Sequence, residues 1–297
     1  MPRSPITWFG GKGNIVKWIL KYIPEHDFYL EPFGGGASLL FAKHKSKFEV
    51  YNDINEGLYT LFSVLRDPKK FKKLFKLVSL TPYSRCEYYY MRDKWRKGEF
   101  KDEIDKAYTF WYLARTSFSG NFCQSISMAV TKSERGFSGS VSRYLSSIED
   151  LPYIHKRIMS VQIECLDFRN CIEKYVSAWD YNNSVCYMDP PYVKSTRKKG
   201  GYEHEMTDDD HNDLVDLLIK YENKCKFILS GYPNEIYKRL EKRGWIRVTR
   251  TFGCFAVGRT RQNGALGNGA IINNEEFVRE ESLWMNYDIH GDQMKLF

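Results

Sequence analysis

The sequence contains no stretch of about 18 uncharged apolar residues, which leaves no candidate for a membrane-spanning helix. Its first residues, MPRSPITWFGGKGN, lack the apolar core of a secretory signal, so the expectation is an intracellular protein. Seven cysteines are scattered through the chain with no CxxC pair. An odd, dispersed set of this kind argues for reduced thiols and against a disulfide framework or a zinc site. There is no internal repeat. A moderate excess of positive charge is present, 45 Lys and Arg against 37 Asp and Glu, which suits a polyanionic partner without requiring one. Aromatic residues, at 16 %, are the stronger clue, because rings interleaved with Lys and Arg are how proteins hold unstacked bases.

Hydrophobic periodicity divides the chain into an α/β fold with an insert. DFYLEPF reads as a strand and turn, ASLLFAKH as a helix, FEVYND as a second strand ending in Asp53, and INEGLYTLFSVLRD as a helix. The charged stretch DPKKFKKLFK breaks this pattern. CEYYYMRDKWRKGEF and AYTFWYLARTSFSGNF are partly helical and dense in aromatic and basic residues, and KSERGFSGSVSRYLSS reads as a loop. The α/β pattern resumes with strands in VQIECLDF, SVCYMDPPY and KFILSGY. A helix follows Thr207 as N-cap, another lies in NEIYKRLEKRG, and the late strands IRVTRTFG and ESLWMNYD flank the glycine-rich RTRQNGALGNGA. The expected division is a catalytic part, residues 1–67 and 159–297, and an inserted part, residues 68–158.

Two constellations carry chemistry. In EPFGGGASLL, Glu31 to Leu40, a strand gives way to glycines and then a helix, with Asp53 closing the next strand. That arrangement puts a ligand at the carboxyl ends of parallel strands, with an acid ready for ribose hydroxyls. The dinucleotide fingerprint is incomplete, because Leu39 stands where its third glycine belongs. Acids at both strand ends repel a pyrophosphate and suit a cation, so S-adenosylmethionine, with its adenosine and sulfonium, fits better than a nicotinamide dinucleotide. In DPPY the prolines remove donors and push Asp189 toward extended backbone. The carboxylate of Asp189 and the carbonyl of Pro190 become a rigid acceptor pair for the two hydrogens of an exocyclic amine, and Tyr192 offers a ring for base stacking, worth about 1–3 kcal/mol. A third motif, WFGGKGN (Trp8 to Asn14), reads alone as a terminal turn more readily than as a ligand-closing loop.

Taken in order, WFGGK, EPFGGG, NDIN (Asn52 to Asn55), ARTSFSG, DPPY and the closing LWMNY resemble the DNA adenine N6-methyltransferases of the Dam type, the D12 class, over nearly the whole chain. The resemblance implies a Rossmann-like S-adenosylmethionine-dependent methyltransferase domain with a mostly helical inserted DNA-recognition domain. The implied cofactor residues are Trp8, Lys12, Phe33, Gly34, Asp53, Asp167, Phe168 and Asp189. Asp189, Pro190 and Tyr192 would hold the target adenine, flipped out of double-stranded DNA. Arg115, Phe118 and Ser119, with Lys194 and Arg197 after DPPY, would touch DNA. The insert departs from the Dam pattern: Ala114-Arg115 replaces Asn-Arg, Ser119 stands where Asn is usual, and SGSVSRY replaces a Gly-Arg-Tyr-like segment. A GATC target therefore does not follow. The implied protein is monomeric, needs neither metal nor membrane, and works in the cytoplasm of a bacterial cell or phage-infected host. Cytosine N4-methylation, a DNA-binding regulator without catalysis and a dinucleotide-dependent oxidoreductase are the rival readings. Asp208, Asp209, Asp210 and His211 suggest a metal only superficially, since first-turn acids serve a helix dipole. Tyr88, Tyr89 and Tyr90 read as packing.

Overall fold

The computed structural model describes residues 4–120, 122–130, 133–196, 204–253 and 278–288. In chain order the strands are Phe28–Glu31 (β1), Phe48–Asn52 (β2), Ser133–Glu134 (β3), Phe137–Ser138 (β4), Val161–Glu164 (β5), Ser184–Met188 (β6), Lys226–Gly231 (β7), Ile246–Gly253 (β8) and Val278–Met285 (β9). Seven of them form one sheet in the order β5-β2-β1-β6-β7-β9-β8, parallel from β5 to β7, with β9 antiparallel to both its neighbours. The central strands β1, β6 and β7 are buried along their whole length, as parallel strands covered on both faces must be. Side chains alternate between two cores: Val185 and Tyr187 of β6 face one, Cys186 and Met188 the other.

The helices are Val16–Ile19 (α1), Ser38–Ala42 (α2), Glu56–Arg66 (α3), Pro68–Leu80 (α4), Arg85–Lys97 (α5), Glu103–Thr116 (α6), Gly139–Ile158 (α7), Phe168–Val176 (α8), Asp208–Lys220 (α9) and Lys238–Lys242 (α10). Residues 68–158 contribute α4 to α7 and the β3–β4 hairpin. These helices do not form a separate core: Phe110, Leu113, Tyr144 and Ile154 belong to the same apolar cluster as Tyr29 and Tyr51 of the sheet. Helix α6 is buried nearly all round, from Ala107 to Ala114, and serves as the axis of the stack.

Two expectations for this segment fail for local reasons. DPKKFKKLFK continues as helix α4, because Asp67 accepts the Lys69 and Lys70 amides and Pro68 occupies the first helical position. The serine-rich SGSVSRYLSS is helix α7 from Gly139 onward, capped by the Ser138 hydroxyl at Val141. Its Ser140, Ser142 and Ser147 are buried, so the serines are small contact residues and not loop punctuation. The glycine-rich RTRQNGALGNGA lies outside the described residues.

The C-terminal turn of α7 is clamped to the sheet. Arg157 donates to both oxygens of Glu49 on β2, at 2.6 and 2.8 Å, and to the Leu40 carbonyl at 3.0 Å. Glu49 also pairs with Lys43 at 2.6 Å, and both acid and lysine are almost wholly buried. Burial works to raise the Glu49 carboxyl, but Arg157 and Lys43 hold it below its ordinary value. Replacing Arg157 by Ala removes one partner of a buried ion cluster and should cost about 3 kcal/mol in urea unfolding. A loss below about 1 kcal/mol, the range of exposed pairs, would show that the clamp contributes nothing.

Candidate active site

The sheet order reverses between β1 and β6, and in α/β folds that switch point opens a crevice beyond the carboxyl ends of the strands. EPFGGG leaves β1 and DPPY leaves β6 at neighbouring positions there, while Asp53 follows β2 and Asp167 follows β5. The fold thereby gathers four motifs that lie far apart in sequence.

The glycine loop is fixed from below. The Gly34 amide donates to the Asn52 carbonyl at 2.8 Å, and a Cβ at Gly34 would stand 2.1 Å from the buried ring of Tyr51. The Tyr51 hydroxyl donates to the Gly35 carbonyl at 2.7 Å. Gly35 has φ +49° and donates its amide to Asp53 Oδ2 at 2.8 Å. Asp53 Oδ1 accepts the Asn55 amide at 2.9 Å, and the Asn55 side chain caps α3 at Leu58. NDIN is therefore one rigid unit that ties the loop to the next helix.

Asn52 braces a third strand end. Its amide donates to the carbonyls of Pro32 (2.8 Å) and Leu166 (3.0 Å) and accepts the Leu166 amide at 2.8 Å. Just beyond, Phe168 meets Phe33 at 5.3 Å between centroids. Asp167 caps α8 through the Arg169 amide at 2.9 Å. The Arg169 guanidinium lies over the Phe168 ring at 4.3 Å and pairs with Asp167, Asp210 and Asp213. It holds the Asp210 carboxyl down to about 2. Thr207 and Asp210 form a full capping box on α9, so the Asp-rich turn is a helix start. Among the described residues, no group of three or more His, Cys, Asp or Glu could hold a metal ion.

At the DPPY end, Lys12 Nζ lies 2.9 Å from Asp189 Oδ1 and 3.2 Å from Glu281 Oε1. The same Glu281 oxygen accepts the hydroxyls of Tyr192 (2.5 Å) and Ser230 (2.7 Å). Lys12 also donates to the Tyr192 hydroxyl and sits 4.4 Å from its ring centroid. Burial alone would lower the Lys12 ammonium, but Asp189 and Glu281 outweigh it and hold it above its ordinary range. Burial pushes the Asp189 carboxyl up to about 6, against the pull of Lys12. Glu31, buried and accepting the Tyr29 hydroxyl at 2.6 Å, is pushed up to about 7 by the same effect.

All eight residues expected to contact a cofactor, namely Trp8, Lys12, Phe33, Gly34, Asp53, Asp167, Phe168 and Asp189, line a single cavity of about 200 Å³. Glu31, the acid that opens the glycine motif, joins them, as do Tyr187 and Arg169, which the sequence did not single out. Glu281 was missed as well, because a lone acid in a late strand carries no motif. Three expected roles change. Tyr192 does not present an open stacking face: it is 8 % exposed, with Lys12 beside its ring and Tyr232 edge-on at 4.4 Å. Pro190 is buried and Pro191 takes its place in the cavity wall. Arg115 gives its guanidinium to the carbonyls of Pro5 (2.6 Å) and Ser4 (2.5 Å), clasping the N-terminal segment to α6. Phe118, by contrast, is 46 % exposed on the short turn that also contains Ser119. Lys194 is exposed on the turn after DPPY, and Arg197 lies outside the described residues.

Residues 8–253 match the family model of the D12 class N6 adenine-specific DNA methyltransferases. The chain belongs to that family. As a D12 class enzyme it is an adenine-specific DNA methyltransferase, and its mostly parallel sheet is consistent with a methyltransferase fold. It is 28 % identical over 254 residues to the Type II methyltransferase M.MjaIII of Methanocaldococcus jannaschii, covering 77 % of this chain and 84 % of that protein. It is 24 % identical over 274 residues to a DNA adenine methylase of Vibrio cholerae, covering 87 % and 93 %. A DNA N-6-adenine-methyltransferase of Escherichia phage P1 is 27 % identical over 252 residues, 79 % of this chain but 31 % of that protein. No helix among the described residues of this D12 class chain is long and apolar enough to cross a membrane.

Gly34→Ala should force the loop off Tyr51 and cost about 2 kcal/mol of stability, the usual range for overpacking a filled site. Urea unfolding is the check, and a change below about 0.5 kcal/mol would mean that the ring has room to give way.

Proposed function

We propose that this methyltransferase takes its methyl group from S-adenosylmethionine and transfers it to N6 of an adenine flipped out of duplex DNA. One observation carries the reading. The glycine loop braced by Asp53 and the acidic DPPY turn open into the same cavity from adjacent strands at the switch point. The donor set suits a cationic nucleoside ligand: Asp53 and Asp167 lie near the loop, Phe33 and Phe168 offer aromatic surface, and the lining cations Lys12 and Arg169 are already paired with carboxylates. When bound, S-adenosylmethionine supplies a methyl carbon activated by a positive sulfur.

The chain's own residues position the amine. Asp189 would accept its hydrogens and draw electron density onto N6, the nucleophile toward the methyl carbon that bound S-adenosylmethionine would supply, the electron pair of the broken sulfur–methyl bond leaving with sulfur. The proton that N6 loses passes to the Asp189 carboxylate, so no base of high pKa is needed. Most of the acceleration comes from orientation and fixed charge. Tyr192 contributes by holding the Glu281 carboxylate and Lys12 rather than by offering a free ring face. Extracting the base costs a few kcal/mol, which the contacts of the extruded adenine offset. Phe118, exposed at the end of α6, is suited to enter the duplex, and residues 68–158 with Ser119 form the surface that reads it. Lys194 and Arg197 are suited to phosphate. Arg115 supports this surface by clasping the N-terminal segment. The departures at Ala114 and Ser119 argue for a target other than GATC.

Incubation with unmethylated genomic DNA and S-adenosylmethionine, followed by mass spectrometry of the nucleosides, should yield N6-methyladenine. N4-methylcytosine would overturn the choice of base, and Asp189→Asn should remove the product by at least about 100-fold with the fold intact. The rate should fall as pH drops through about 6, where the raised Asp189 carboxyl takes up a proton and ceases to be an acceptor pair. A rate independent of pH between 5 and 8 would remove Asp189 from this role.

A further inference from the structure

Lys12 poses a problem for the reaction. Its ammonium sits against Asp189 Oδ1 at 2.9 Å, the carboxylate that the incoming amine needs. With only 7 % of its side chain exposed, it gains little from water, and a buried ammonium stripped of its partner costs several kcal/mol. A second anion must therefore receive it.

Glu281 stands in that position. Strand β9 runs against the parallel strands, so its early residues reach the same edge of the sheet as their carboxyl ends. Glu281 lies one residue beyond Ser282, which pairs with the last residue of β7, Gly231. It shares the sheet face of Leu283 and Met285, the face that also receives Tyr187 and the N-terminal segment through Ile6 and Ile15. A single oxygen, Oε1, faces Lys12 at 3.2 Å and accepts Tyr192 and Ser230. Ser230 fixes the carboxylate from the sheet, and Tyr192 links it to DPPY.

We propose that Glu281 is a positioning residue for methyl transfer, the second anchor that holds Lys12 while Asp189 gives its oxygen to the target amine. This inference rests on the reading of Asp189 given above. Lys12 shifts its pairing between two carboxylates without becoming unpaired. Tyr192, bonded to both Lys12 and Glu281, keeps the DPPY turn in register during the exchange. The groups facing Asp189 are Lys12 from the N-terminal segment, Glu281 from β9, Tyr187 from β6 and Tyr237 beside α10, with Tyr192 of its own turn reached through Lys12 and Glu281. Glu281 raises the Asp189 carboxyl and Lys12 lowers it. Loss of the Glu281 charge removes the first effect and leaves Lys12 wholly to Asp189, so both changes move the Asp189 titration down.

The test compares wild type with Glu281→Gln, Glu281→Asp and Tyr192→Phe. Turnover is measured at saturating S-adenosylmethionine and unmethylated duplex DNA across pH 5–8, with thermal unfolding followed in parallel. Glu281→Gln should lower kcat by about 10- to 100-fold, the loss expected when a group that positions the transition state through Lys12 is removed. KM for S-adenosylmethionine should change far less, and the acid limb of the profile should move below that of wild type. Glu281→Asp should recover part of kcat, and Tyr192→Phe combined with Glu281→Gln should lose less than the product of the two single effects. A Glu281→Gln enzyme with wild-type kcat and an unmoved acid limb would overturn the proposal. So would equal inactivity of the Gln and Asp variants together with a lowered unfolding midpoint, which marks a merely structural role. A wild-type protein that transfers no methyl group would overturn the underlying reading of Asp189 and this one with it.

Discussion

Three strand ends are held in register by one amide. Asn52 closes β2, and its side chain bonds main-chain groups of Pro32, just past β1, and Leu166, just past β5. A parallel sheet stops making ladder bonds where its strands diverge, and the freed backbone groups need other partners. By supplying them, Asn52 lets the chain open a crevice without leaving buried polar groups unpaired. Asp53, the next residue, can then spend both its oxygens on the Gly35 and Asn55 amides. The ligand-facing loops are thus the ordered edge of the sheet and not appendages to it.

A different logic governs the DPPY edge. Here charge, not backbone, is the problem: Lys12, Asp189 and Glu281 are brought together out of water. Arrangements of this kind often add little to stability, because desolvation cancels most of the attraction. Their use lies in fixed direction, with donors and acceptors aimed before the substrate arrives. The Lys43–Glu49–Arg157 cluster on the same side of the sheet performs the other task, fastening α7 to β2 and α2.

The seven strands of the main sheet were legible because their apolar runs are short and bounded by turn residues, whereas the exposed β3–β4 hairpin was read as loop. The cavity was legible because its lining comes from strand ends whose motifs survive as contiguous text: all eight expected cofactor residues meet in one place. Where the sequence misled, three-dimensional context supplied what spacing could not. A lysine-rich stretch became helix α4 because two residues, Asp67 and Pro68, start it well. The serines of α7 became core because α7 packs into the same apolar cluster through Tyr144, Leu151 and Ile154, and that packing buries Ser140, Ser142 and Ser147 with them. Arg115 and Tyr192 were read as exposed because their motif neighbours invite it, yet each is turned inward by a partner more than 80 residues away in sequence. Glu281 was illegible for the same reason, since its partners at positions 12, 192 and 230 are local only in space.

Trp8 has a place in this geometry that reaches beyond its contact with the cavity. Its indole stands against Gly35 of the glycine loop, and its backbone against Gly120 at the end of the turn bearing Phe118. Its ring also meets Phe110 of α6 at 5.6 Å between centroids. At both glycines a single added carbon would press on it at 3.1 Å, a tight contact, so little slack separates the two loops. A close-packed wedge of this kind transmits displacement instead of absorbing it. One tryptophan thereby sets the spacing between the wall of the cavity and the turn that bears Phe118, so neither can be repacked without moving the other.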